Sequence, residues 1–177
     1  MIALIGLPGS GKSTIGRQLS RRISGAFYDS DQVIEQRISC SIREYFERNG
    51  EPAFRTIEQE VIDELTRGAD CVISTGGGAV LNQNTRDNLK SRCKVVYLCC
   101  PPEELFRRLR HDQNRPLLQV ANPLEKLQEL YAVRDPLYRE TAHVVIQTGR
   151  PSISSLVNLI VAQLELSNIS PARRPHD

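Results

Sequence analysis

A chain of 177 residues, 40% hydrophobic and 25% charged, has the composition of an ordinary folded domain and the length to enclose a substantial core. Its net charge of +2 argues against strong electrostatic attachment to nucleic acid, and apolar runs such as Val95 to Cys100 are far too short to span a membrane. The chain opens on Met1-Ile2-Ala3-Leu4-Ile5 with no basic-then-apolar leader, so the expected compartment is the cytoplasm.

Short apolar runs alternate with longer stretches of three-to-four spacing, the rhythm of a parallel α/β fold. Strands are expected at 2–5, 26–28, 71–74, 94–99 and 143–147. Ile15, Leu19 and Ile23 mark the first helix, and Ile57, Val61 and Leu65 a later one. Leu105 and Leu109 mark another, a further helix covers 124–137, and Ser152 caps a last one over 152–166. The five cysteines are odd in number and follow no metal or disulfide spacing; Cys71, Cys99 and Cys100 lie in apolar runs, where cysteine is a small hydrophobe. His111, His143 and His176 have no partner pattern for catalysis or metal binding. One domain over 1–167 is expected, with helices and no strand at 31–68, a polar loop at 111–122 and a frayed tail at 168–177.

The motif that decides the class is Gly6-Leu7-Pro8-Gly9-Ser10-Gly11-Lys12-Ser13, which fits G-x-x-x-x-G-K-[ST] and is followed by Thr14. Its glycines let the backbone curl so that successive N–H groups turn toward phosphate oxygens. The next helix offers its positive end to the same anion. Lys12 reaches the β and γ phosphates, and Ser13 supplies an oxygen to Mg²⁺. A strand before and an amphipathic helix after distinguish a P-loop from a chance glycine-rich turn.

A P-loop leaves kinases, GTPases, motor ATPases and binding modules open. Tyr28-Asp29-Ser30-Asp31 ends the second strand and opens onto the same sheet edge. One of its acids can act on hydrated Mg²⁺ and the other on an acceptor hydroxyl, as base or orienting group. The competing use is capping of the next helix by Ser30 or Asp31. A carboxylate here repels a phosphate nucleophile, which weighs against a nucleoside-monophosphate kinase. Thr75-Gly76-Gly77-Gly78 follows the third strand, and three glycines in a row suit close approach of backbone to a ligand. Ser74 and Thr75 stand where they can reach the hydrated metal. Arginine's planar fork suits an anionic substrate. Arg55 has Glu58 three residues on, on the same helix face; Arg134 precedes Pro136, which is expected to kink its helix; Arg115 lies in the polar loop. Among 23 basic residues, spacing alone does not single these out.

The P-loop, Asp29-Ser30-Asp31, Phe54-Arg55 with Glu58, the glycine triplet, Arg115-Pro116-Leu117-Leu118 and Val133-Arg134-Asp135-Pro136-Leu137-Tyr138, in that order, resemble the shikimate kinase family. The resemblance runs from about Ile2 to Arg150 and implies a five-stranded parallel sheet flanked by helices, as in nucleoside-monophosphate kinases. It implies transfer of the γ-phosphoryl of ATP to the 3-hydroxyl of shikimate with Mg²⁺, on the route to chorismate and the aromatic amino acids. Gly9, Ser10, Gly11, Lys12, Ser13 and Thr14 would hold the nucleotide, with Ser13 and Asp29 serving the metal. Asp31 would meet the acceptor hydroxyls as base, and Arg55 and Arg134 would bind the carboxylate. The Gly76, Gly77 and Gly78 backbone would approach the ring. Arg115 would close with a lid, Arg108 would lie against adenine, and the stretch near Arg150 would adjoin it; 31–68 would be the acceptor-binding region and the enzyme a monomer. The rivals are another small-metabolite P-loop kinase, acting on gluconate or a nucleoside monophosphate, and a catalytically silent nucleotide-binding module.

Overall fold

A computed structural model describes residues 1–110 and 120–168, with side chains to 167. Five strands, β1 (Ile2–Ile5), β2 (Ala26–Asp29), β3 (Cys71–Ser74), β4 (Lys94–Cys99) and β5 (Val144–Gln147), form one parallel sheet in the order β2-β3-β1-β4-β5. The expected strands are all present; β2 is one residue longer than its apolar run, and β5 starts one residue later. β3 is wholly buried, and β1 and β4 are buried after their first residue, as parallel strands covered on both faces must be. The edge strands β2 and β5 alternate in exposure.

Period-two alternation divides the core. Ala3, Ile5, Val95, Tyr97 and Cys99 face one way and pack with Ile62, Leu89, Leu127 and Tyr138. These come from the helices α3 (Ile42–Arg67), α4 (Gln83–Arg92) and α6 (Pro123–Thr141). Leu4, Val72, Val96 and Leu98 face the other way, against Ile15 and Leu19 of α1 (Lys12–Arg22) and Leu156 and Ile160 of α7 (Ile153–Asn168). A satellite cluster of Ile34, Phe54 and Val61 joins α2 (Ser30–Ile38) to α3. Between β4 and α6 lies α5 (Pro102–Leu109), and a short 3₁₀ turn at Ala79–Leu81 leads from the glycine triplet into α4. Ser152 caps α7 as expected, its Oγ accepting from the Ser155 N–H at 3.2 Å.

Pro136, expected to kink its helix, lies inside a continuous one. Helix α6 runs through Pro136, whereas α3 breaks at Gly50, with φ +80° and ψ 171°, and restarts two residues before Ala53. Pro52 thus falls in the first turn of the second segment, where its missing N–H has no helical partner to lose. All five cysteines are free thiols; Cys71, Cys93, Cys99 and Cys100 are buried. His143 has a structural use, its Nδ1 accepting from the Val95 N–H at 3.0 Å. Among the described residues, no helix is long and apolar enough to cross a membrane. The expected loop falls largely, and the tail almost wholly, outside the described residues.

Candidate active site

Pairing of Leu4 with Ser74, and of Ser74 with Asp29, brings the carboxyl ends of β1, β3 and β2 level. Three connections rise from that edge around a cavity of about 390 Å³. The first is the P-loop. Gly9 and Gly11 take φ values of +84° and +92°, left-handed conformations open to glycine. Lys12 folds back over the loop, its Nζ donating to the Gly6 and Leu7 carbonyls at 2.9 Å each. The N-cap of α1 is Gly11, with no side-chain hydrogen bond and no acid in the first turn, so the positive helix end stays open to an anion. Thr14 lines the cavity. Ser10 Oγ is buried without a hydrogen-bond partner among the described residues.

The second connection is the acidic turn. Asp29 Oδ1 accepts from the Asp31 N–H at 3.1 Å and caps α2, while Oδ2 accepts from Ser13 Oγ at 2.5 Å. The cap therefore belongs to Asp29, not to Ser30 or Asp31, because β2 runs one residue further than its apolar pattern. Ser30 Oγ is buried and accepts from the Gly76 N–H at 3.1 Å. Relieved of capping, the Asp31 carboxyl lines the cavity. Burial pushes its pKa up to about 6, with further upward pressure from Asp29 and then Glu58, and opposition from Lys12.

The third connection carries the glycines. Thr75 fastens it to β1, its N–H and hydroxyl both donating to the Leu4 carbonyl at 3.1 and 3.2 Å. A Cβ on Gly76 would stand 2.8 Å from Asp31 Oδ1 and from Glu58 Oε1; one on Gly77 would stand 2.7 Å from the Pro8 ring. One on Gly78 would collide with both Nη atoms of Arg55. Close approach, rather than a turn, accounts for the triplet.

Arg55 is held from two sides. Its Nη1 donates to Glu58 Oε2 at 2.6 Å, and its Nη2 and Nε donate to Glu51 Oε1 at 3.1 and 3.2 Å. Glu58 is 3% exposed, and burial raises its pKa while Arg55, and behind it Arg134, pulls it back. Arg134 thus belongs to the same electrostatic cluster although it comes from α6. Ser13 Oγ lies 3.4 Å from Ser74 Oγ, so hydroxyl and carboxylate oxygens gather beside the P-loop.

Lys12, Ser13, Asp29, Asp31, Arg55, Arg134 and the triplet come together as the sequence suggests. Arg108 stands at the β5 end, where its Nη2 donates to the Thr148 carbonyl and, at 3.3 Å, to that of Gly149. Arg150 is exposed and forms no ion pair or hydrogen bond among the described residues. Arg115 lies outside them. Sequence reasoning missed Tyr138, whose hydroxyl donates to the Gly77 carbonyl at 2.6 Å, and treated Glu58 only as a partner for Arg55. Their separation along the chain left no local signal for the first; the second was visible as an i,i+3 pair.

A family model described as shikimate kinase matches residues 8–165. The chain belongs to the shikimate kinase family. It is accordingly an ATP-dependent phosphotransferase. It is 57% identical over 173 residues to a shikimate kinase of Paracidovorax citrulli, covering 96% of this chain and 94% of that one. A shikimate kinase of Ralstonia nicotianae is 49% identical over 168 residues, covering 95% and 88%. Among solved structures, shikimate kinase from Acinetobacter baumannii in complex with shikimate superposes with a TM-score of 0.89 at 45% identity, covering 96% and 94%. The family member from Aquifex aeolicus does so at 0.84 and 35%, covering 96% and 99%.

The Asp31 environment has a direct check in the carboxyl ¹³C shift followed by NMR. The expected midpoint is near 6, and Asp29→Asn should lower it, because the substitution removes a repelling charge and leaves burial in place. Ionisation is disfavoured in the folded chain, so this group's contribution to stability falls as pH rises from about 4 to about 6. A midpoint near the ordinary 3.8 would show Asp31 to be solvated.

Proposed function

We propose that this chain transfers the γ-phosphoryl of ATP to the 3-hydroxyl of shikimate, in the cytoplasm and as a monomer. The observation that carries the reading is the joining of a complete P-loop to a second, carboxylate-seeking half-site: the cavity-facing Asp31, the braced Arg55 and Arg134 around one glycine loop. A nucleotide-binding module needs only the first half.

The donor side uses Gly9 to Thr14. Loop N–H groups and the uncapped end of α1 hold the phosphates, and Lys12 leaves its two carbonyls to neutralise charge on the transferring group. Ser13 and Asp29, with Ser74 nearby, would hold Mg²⁺, and the fit is good. All the donors are oxygens, and Mg²⁺ is commonly held by one or two carboxylates plus substrate phosphates and water. When bound, the ion supplies charge neutralisation and orientation to the phosphates. Arg108, which grips the carbonyls after β5, and the nearby Arg150 would serve the adenine end.

On the acceptor side, Arg55 and Arg134 bind the carboxylate. Glu51 and Glu58 fix the Arg55 fork before the ligand arrives, so little orientational freedom remains to be lost. The Gly76–Gly78 backbone lies against the ring. Asp31, with a pKa near 6, is ionised at neutral pH yet basic enough to accept the hydroxyl proton as the phosphoryl moves. The region 31–68 is the acceptor-binding part of a single domain. Its third apolar cluster is small and separate from the two that flank the sheet.

Four measurements test this reading. A coupled ADP-release assay with Mg-ATP is expected to respond to shikimate and not to gluconate, CMP or AMP; release with another acceptor alone would overturn the substrate. Asp31→Asn is expected to lower kcat by roughly 10²–10⁴ with ATP affinity kept, and wild-type kcat/KM should fall below pH 6 as the base protonates. Retained turnover would remove Asp31 from the chemistry. Arg55→Lys replaces a fork by a point charge and should raise the shikimate KM about tenfold, a loss of about 1.4 kcal/mol. An unmoved KM would place the carboxylate elsewhere.

A further inference from the structure

Tyr138 is fully buried on α6, yet its hydroxyl reaches across to the acceptor loop and donates to the Gly77 carbonyl at 2.6 Å. The bond crosses 61 residues of sequence and joins elements that share no strand pairing. Gly77 also lies against the Pro8 ring, close enough that a Cβ would meet it at 2.7 Å. The Gly77–Gly78 peptide is thus clamped between a phenol and the P-loop proline. A trans peptide directs its carbonyl and the following N–H oppositely, so fixing the Gly77 oxygen also fixes where the Gly78 N–H points. Neither the Gly77 nor the Gly78 N–H has a protein acceptor among the described residues. Gly77 lines the cavity, whereas Gly78 is buried beside the Arg55 guanidinium.

The phenol is itself held. Its ring lies 4.9 Å from that of Tyr97, whose hydroxyl donates to Asp135 Oδ1 at 2.8 Å; Arg139 Nε holds the other oxygen of Asp135 at 2.9 Å. Arg134, one helical turn before Tyr138, interacts with the same phenol. A buried Tyr–Tyr pair, tied through the partly buried Asp135 to the exposed Arg139, therefore backs a single hydrogen bond into the loop.

We infer that Tyr138 is a positioning residue for the acceptor: through the Gly77 carbonyl it sets the glycine peptide against the ring hydroxyls in register with Arg134 on its own helix. This rests on the proposed acceptor half-site. It assigns to the phenol a share in specificity that no residue touching the acceptor supplies, since one side chain ties the carboxylate arginine to the backbone that meets the opposite part of the ring.

The test is steady-state kinetics of Tyr138→Phe in the full chain, with Tyr97→Phe as comparison. Phenylalanine keeps the stacked ring and removes the hydroxyl. The shikimate KM is expected to rise about tenfold with the ATP KM within twofold, and 3-fluorotyrosine at 138, which retains the hydroxyl, should restore it. Tyr97→Phe removes an equally buried hydroxyl of the same array without touching the loop and should leave the shikimate KM within twofold. An unchanged acceptor KM in Tyr138→Phe, or an equal rise in Tyr97→Phe, would overturn the inference. If Tyr138→Phe fails to fold, Gly77→Ala disturbs the same peptide from the Pro8 side, and an unmoved acceptor KM there overturns it as well. Wild-type turnover of shikimate reports separately on the function. The variant-to-wild-type ratio, on whichever acceptor the wild type phosphorylates, reports on Tyr138.

Discussion

Leu4, Ser74 and Asp29 are register partners across three neighbouring parallel strands, and the rest of the site depends on that alignment. Each strand ends in a different device: a P-loop, a glycine loop and an acidic turn. In a parallel sheet these devices all emerge at one edge, where α/β folds bind ligands. The Thr75 bonds to the Leu4 carbonyl continue the pairing one step past the end of β3, and the Ser13–Asp29 bond ties the helix after β1 to the end of β2. Loss of register by one residue would reverse every strand side chain between the two cores. The catalytic arrangement and the packing are therefore specified by the same hydrogen bonds.

Above that edge, charge is concentrated at a cost. Asp31 and Glu58 each lie within 2.8 Å of where a Gly76 Cβ would be, and burial raises the pKa of both. Their treatment differs. Glu58 is paired to Arg55, whereas the cavity-facing Asp31 is balanced chiefly by Lys12, with Asp29 and Glu58 opposing it. The paired acid serves as a brace. The under-compensated acid is the one suited to accept a proton, and a buried carboxylate left in that condition is characteristic of sites selected for chemistry over stability.

How far the sequence disclosed this depended on how local each feature is. The P-loop, the acid pair and the triplet are contiguous, and the Arg55–Glu58 brace is one helical turn, so all could be read directly. Helix α6 runs four residues past the expected 137 and α4 was not anticipated, whereas strand positions followed from periodicity to within a residue at their ends. That small uncertainty still mattered at Asp29, because one extra residue of β2 moved the cap from Ser30 or Asp31 onto Asp29. Pro136 lies inside α6, which runs through it, while the backbone break in α3 falls at Gly50 and carried no such signal. The Tyr138–Gly77 and Ser30–Gly76 bonds were not legible at all, since each joins residues 61 and 46 apart and depends on the packed fold.

The three glycines bring these lines together. Gly76 is bounded by two carboxylates, Gly77 by the P-loop proline and Gly78 by the arginine fork. A side chain on any of them would displace, in turn, the Asp31 and Glu58 carboxylates, the Pro8 ring of the P-loop or the Arg55 guanidinium. The entropy that three consecutive glycines cost the folded chain is offset by fixing their backbone from outside: Ser30 holds the Gly76 N–H, Tyr138 holds the Gly77 carbonyl, and the Gly76 carbonyl accepts from the Ala79 N–H at 3.2 Å. A flexible sequence is thereby made into a rigid surface, and the N–H groups it leaves unpaired face no protein acceptor. Donor and acceptor halves consequently share one wall. The P-loop and the glycine loop meet directly at the Pro8–Gly77 contact.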